Sequence, residues 1–173
     1  MSTQRPPSQP GCAWVEECIE ICTGRSVYVE DEGVRATFLN PKRSKIRKIH
    51  YDGCYAAKMG RQADFILGLP KVVDVIVELK GSDANLKDAA LQIESTLESW
   101  KEEEKSEEVI AALIIYGRIE GKKKLPGRVP RTAAVILGLT AEFFKRHKKL
   151  LLIKENGEMQ FSFNDFLRKT SAN

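Results

Sequence analysis

The chain has 173 residues, with 28 Lys and Arg against 24 Asp and Glu, a formal net charge of +4. Hydrophobic residues at 42% and charged residues at 30% describe one globular domain with an ionic surface, and they exclude general disorder. No apolar run reaches the roughly 18–20 residues of a membrane helix, and the polar, Pro-rich first ten residues are neither a signal nor a transit sequence, so the expectation is a cytoplasmic protein without a membrane.

Residues 1–10 read as a flexible tail and residues 11–173 as a single domain. Between 11 and 22, Trp14, Val15, Cys18, Ile19, Ile21 and Cys22 recur at helical spacing, with Glu16, Glu17 and Glu20 on the polar side. The spacing predicts a helix there, closed by Gly24. Residues 26–39 predict a hairpin turning at Asp31-Glu32-Gly33. Residues 62–69 and 72–79 predict two strands, the second β-branched almost throughout, as suits a strand buried inside a sheet.

From 86 to about 105, Leu86, Ala90, Ile93, Leu97 and Trp100 fall on one helical stripe. A third buried strand is expected over 109–116, and a basic Gly/Pro-containing connection over 117–131. A helix over 140–149, a hairpin over 150–163 around Glu155-Asn156-Gly157 and a short helix over 164–168 complete the chain. This order gives an α/β fold with a mixed sheet flanked by helices, the helix between two buried strands being a crossover. Four cysteines (Cys12, Cys18, Cys22 and Cys54) form no CxxC pair, and both histidines are far off in sequence. They are expected as small, partly buried thiols in a reducing cytoplasm.

The strand over 72–79 carries charge where apolar residues are expected. Side chains alternate along a strand, so Asp74, Ile76, Glu78 and Lys80 share one face and Val73, Val75, Val77 and Leu79 the other. A carboxylate and an ammonium therefore point the same way at the strand's C-terminal end, where open α/β sheets place ligands. Asp64 stands at the head of the preceding strand. Carboxylates from neighbouring strands suit Mg²⁺ (or Mn²⁺), with the Leu79 carbonyl completing the protein's share of the shell. Such an ion activates water and neutralises a scissile phosphate, and Lys80 orients the water and stabilises transition-state charge. Asp74, on the Glu78 face, reads as a structural hydrogen-bond acceptor.

Asp64 with Glu78-Leu79-Lys80 at a strand end, followed by an amphipathic helix, resembles the PD-(D/E)xK nuclease superfamily over roughly residues 11–116. The restriction endonucleases, Holliday-junction resolvases and RecB-type nuclease domains belong to it. The resemblance implies a restriction-endonuclease-like αβββαβ core, with the 11–22 helix leading and a C-terminal helix and hairpin as an extension. Gln92, twelve residues after Lys80, stands where RecB-type members place a supporting glutamine, although Thr96 replaces their tyrosine and Ala63 their proline. A further acid from the first helix is also implied; Glu17 is the foremost candidate beside Glu16 and Glu20. The resemblance thus implies a Mg²⁺-dependent endonuclease, ahead of an exonuclease, on DNA ahead of RNA, in defence or DNA processing. It further implies a homodimer or a separate partner for specificity.

Basic residues gather at Lys42, Arg43, Lys45, Arg47 and Lys48, again at Lys122, Lys123 and Lys124, and from Lys145 to Lys149. Were they to line one face with Asp64 and Glu78, a phosphate-tracking groove would result. The rival expectation is a non-catalytic nucleic-acid- or protein-binding adaptor on the same scaffold.

Overall fold

The computed structural model describes residues 5–117, 131–157 and 160–167. The strands in chain order are β1 (Cys12–Glu16), β2 (Ile19–Cys22), β3 (Ser26–Asp31), β4 (Val34–Leu39), β5 (Ile46–His50), β6 (Phe65–Leu69), β7 (Val73–Lys80), β8 (Ile110–Tyr116), β9 (Leu151–Glu155) and β10 (Gln160–Ser162). The helices are α1 (Leu86–Trp100), between β7 and β8, and α2 (Arg131–His147), between β8 and β9.

A seven-stranded mixed sheet runs β1-β2-β5-β6-β7-β8-β9, antiparallel up to β7 and parallel from β7 to β9. A small sheet, β10-β4-β3, covers one of its faces. Ile66, Ile76, Ala112 and Ile114 pack on the helix side against Leu86, Ile93, Leu97, Trp100 and Phe143. Val73, Val75, Val77 and Leu79 pack on the other side against Val27, Val29 and Phe38. Strand β7 is thus covered on both faces, which explains its nearly unbroken apolar sequence. The expected α/β class, the mixed sheet, the 26–39 hairpin and the helix–strand succession from 73 to 116 all stand. Among the described residues, no helix is long and apolar enough to cross a membrane.

Several expectations are overturned. Residues 11–22 form no helix. They are the β1–β2 hairpin, in which Cys12 lies opposite Cys22 and the pair is joined as a disulfide. Cys18 bonds Cys54 in the turn after β5, so all four cysteines are paired rather than free thiols. The apolar residues here include Val15, Ile19 and Ile21, which favour an extended chain, and β2 also pairs with β5 through Ile19 and Ile49. The 26–39 hairpin belongs to the covering sheet, not to the main one. Helix α1 ends at Trp100, and α2 begins nine residues earlier than the expected 140.

The expected C-terminal hairpin is divided between the layers. Strand β9 continues the main sheet parallel to β8, while β10 runs parallel to β4 in the covering sheet. A 3-10 turn at Phe163–Phe166 follows β10, and its Phe163 and Phe166 rings pack on Phe38. The leading helix of the implied αβββαβ order is therefore replaced by a disulfide-linked β-hairpin.

Candidate functional site

Register brings the predicted residues together. Phe65 pairs with Val77, so Asp64, one step before β6, stands opposite Glu78, one step further along β7. The contact is reciprocal. The Asp64 amide donates to Glu78 Oε2 at 3.1 Å, and the Leu79 amide donates to Asp64 Oδ2 at 2.8 Å. In a strand the N–H and C=O of one residue turn to the same side, so the Leu79 carbonyl also faces the Asp64 edge. Lys80 Nζ lies 2.8 Å from Glu78 Oε1. The same ammonium donates to Gln92 Oε1 from α1. Asp64, Glu78, Lys80, Leu79 and Gln92 thus occupy one place, at the C-terminal end of β7 and beneath α1.

The electrostatics follow from burial. The Glu78 side chain is 1% exposed. Burial, followed by the charge of Asp64, pushes its carboxyl up to about 8, against the hydrogen bond and charge of Lys80. Burial likewise raises Asp64 to about 6, helped by Asp31 and Asp52 and opposed by the Leu79 amide and Lys80. Two carboxylates held together in this way lack positive charge, a deficit that Lys80 answers only in part.

The donor set bears on a metal ion. Among the described residues no group of three or more His, Cys, Asp and Glu side chains converges as a metal cage. The site offers two carboxylates and one carbonyl. That is a poor structural metal site, but it is the sparse oxygen shell on which Mg²⁺ keeps its waters and takes substrate phosphate. The residues therefore fit a Mg²⁺- or Mn²⁺-type ion held by Asp64, Glu78 and Leu79.

Other predicted residues lie elsewhere. Glu17 is exposed in the β1–β2 turn, with β5 and β6 hydrogen-bonded in sequence between its hairpin and β7. Lys42, Arg43 and Lys45 precede β5, and Lys42 and Lys45 border a cavity of about 560 Å³ with Asn40, Leu69, Pro70 and Phe163, at the Leu69–Pro70 end of β6. That is the opposite end of β6 from Asp64, five residues or about 17 Å along the strand. A shared groove with the acidic pair is therefore not formed by this loop. Arg47 lies 3.7 Å from Asp74 Oδ1 and over the Trp100 ring. Lys48 is buried and lies 3.5 Å from Glu20. Both are engaged inside the protein, so neither is offered to a polyanion. Lys122, Lys123 and Lys124 fall outside the described residues. Asp74 is the expected structural acceptor, receiving Trp100 Nε1 and the Glu107 amide, each at 2.7 Å.

Sequence reasoning missed four participants. Asp88, in the first turn of α1, lies 3.6 Å from Lys80 and 3.0 Å from Arg61. Gln62 and Thr96, 2% and 0% exposed, tie the chain just before Asp64 to α1. The available signal was a polar stripe on α1, with Asp88, Gln92 and Thr96 at steps of four beside the apolar stripe. No protein-family model matches the chain, and neither do the curated proteins or the solved structures.

Proposed function

We propose that the chain is a divalent-metal-dependent phosphodiesterase of the PD-(D/E)xK type. It hydrolyses nucleic acid, as an endonuclease ahead of an exonuclease and on DNA ahead of RNA. One observation carries this reading: a buried carboxyl, Glu78, and a half-buried one, Asp64, interlock through the Asp64 and Leu79 backbone amides, with an ammonium 2.8 Å from Glu78. A structural ion pair needs one acid per base. Here a second acid is held beside the first; burial raises both carboxyls, the Asp64 charge raises Glu78 further, and the pair is left calling for a cation.

When bound, a Mg²⁺-type ion supplies charge neutralisation at the phosphate and acidifies water. Asp64, Glu78 and the Leu79 carbonyl would hold it. Lys80, fixed by Gln92 and faced by Asp88, presents a proton-bearing amine where negative charge develops on the phosphate. The basic reach toward substrate comes from Arg61 rather than from the Lys42–Lys45 loop. The two disulfides favour an oxidising compartment over the expected cytoplasmic one.

The adaptor reading has one observation in its favour: Lys80 Nζ lies 2.8 Å from Glu78 Oε1, so the chain itself supplies a cationic partner to the buried acid. The test is cleavage of plasmid, linear and branched DNA and of RNA with Mg²⁺ or Mn²⁺, comparing wild type with Lys80→Ala. Metal-dependent cleavage that falls at least a hundredfold in the variant supports the enzyme. Equal cleavage by the two proteins marks a contaminant and removes it.

A further inference from the structure

We propose that Thr96 is a positioning residue: its hydroxyl, working with Gln62, holds Asp64 against Glu78 and thereby sets the affinity of the pair for a divalent cation. This rests on the metal-site reading above and adds to it a residue that contacts neither ion nor substrate.

Asp64 lies just before β6, where the chain enters that central strand of the main sheet. Its carbonyl accepts from the Tyr51 amide at 2.9 Å, and its own amide is spent on Glu78. The preceding residue, Ala63, is fully buried, and its amide donates to Thr96 Oγ1 at 2.7 Å. Thr96 has one hydroxyl proton, and the acceptor facing it is Gln62 Oε1 at 3.2 Å. The Gln62 amide nitrogen in turn donates to Ser95 Oγ at 2.8 Å and to the Met59 carbonyl at 3.1 Å. The Gln62 carbonyl accepts from Gln92 Nε2 at 3.1 Å, and Gln92 Oε1 accepts from Lys80.

A polar circuit therefore runs from the backbone beside Asp64 through Thr96, Gln62 and Gln92 to Lys80. Both ends of the site are hung from one turn of α1. Removing the Thr96 hydroxyl leaves the Ala63 amide buried without a partner, and the backbone can satisfy it only by moving. Movement there shifts Asp64 relative to Glu78. Groups that orient metal ligands in this indirect way typically change affinity ten- to a hundredfold when removed.

The test is calorimetric titration of the full chain with Mn²⁺, with thermal melts run beside it. Thr96→Val keeps the shape and removes the hydroxyl; Thr96→Ser keeps the hydroxyl. Phe38→Leu, in the core on the opposite face of the sheet, supplies a loss of stability unrelated to the site. The expected result is Mn²⁺ affinity at least tenfold weaker in Thr96→Val, within threefold of wild type in Thr96→Ser, and unchanged in Phe38→Leu. If Thr96→Val does not fold, Gln62→Met removes the acceptor of the hydroxyl, keeps the backbone carbonyl, and weakens binding several-fold. Wild-type affinity in whichever of these two variants folds, or an equal loss in Phe38→Leu, overturns the positioning role while leaving the metal site in place. A wild-type chain that takes up no Mn²⁺ overturns the metal site itself, and the positioning role with it.

Discussion

Glu78→Gln should flatten the dependence of stability on pH. In the folded chain burial and Asp64 hold the Glu78 carboxyl at about 8 against an ordinary value of 4.5. A raised carboxyl pKa means that the folded state binds the proton more tightly than the unfolded one. The stabilisation is therefore complete at low pH and drains away as pH rises toward 8. In that window the slope approaches about 1.4 kcal/mol per pH unit for one such group. Asp64, raised only to about 6, has finished titrating by the upper part of the window.

Between pH 6 and pH 8, without divalent ions, wild type should lose up to about 3 kcal/mol more than Glu78→Gln. For a chain of this size that is a fall in Tm of roughly 5–10 °C. The amide cannot accept from both the Asp64 amide and Lys80 as the carboxylate does, so the variant starts from a lower level and the slope is the quantity to read. Thermal melts at half-unit pH intervals in chelator measure it. Mg²⁺ at a hundred times its Kd should return about 2.7 kcal/mol to wild type at pH 8 and little to the variant. Parallel slopes in the two proteins would refute the reasoning, because Glu78 would then titrate as an ordinary carboxyl.

Two further outcomes follow from the geometry. The Cys18–Cys54 bond spans 36 residues, so Cys18→Ser with Cys54→Ser should cost about 3–4 kcal/mol in urea unfolding, by the entropy of closing such a loop; unchanged stability would show that the bond does not constrain the unfolded chain. Reversing Lys42, Arg43 and Lys45 to Glu should leave metal-dependent cleavage within about twofold, whereas Arg61→Glu beside Asp88 should lower it at least tenfold. Equal losses from the two changes would return the basic loop to the substrate path.

The site was more legible than parts of the fold around it. Asp64, Glu78 and Lys80 could be grouped because strand alternation is a strict period, and antiparallel register then placed Asp64 opposite Glu78. Gln92 followed once the helix stripe was fixed. The 11–22 segment was not legible, because Trp14, Val15, Cys18, Ile19, Ile21 and Cys22 satisfy a helical spacing as well as a two-stranded one. The choice between them is made by tertiary partners, Cys54 for Cys18 and β5 for β2, which no local pattern contains.

The chain bends at Asn156-Gly157, but no hairpin results: β9 and β10 join different layers because a parallel place beside β8 was open to one and an edge beside β4 to the other. Charge clusters carry no address in sequence. The direction of β5 and β6 sent Lys42–Lys45 to the far end of the sheet, and burial turned Arg47 and Lys48 inward.

The most direct measurement is the position of the anomalous Mn²⁺ signal in a crystal of the wild-type chain soaked near pH 8. The account predicts one ion within about 2.3 Å of an Asp64 and a Glu78 carboxylate oxygen and of the Leu79 carbonyl, with water filling the remaining positions. An ion bound elsewhere, or Lys80 still seated on Glu78 with no ion beside it at saturating Mn²⁺, would contradict it.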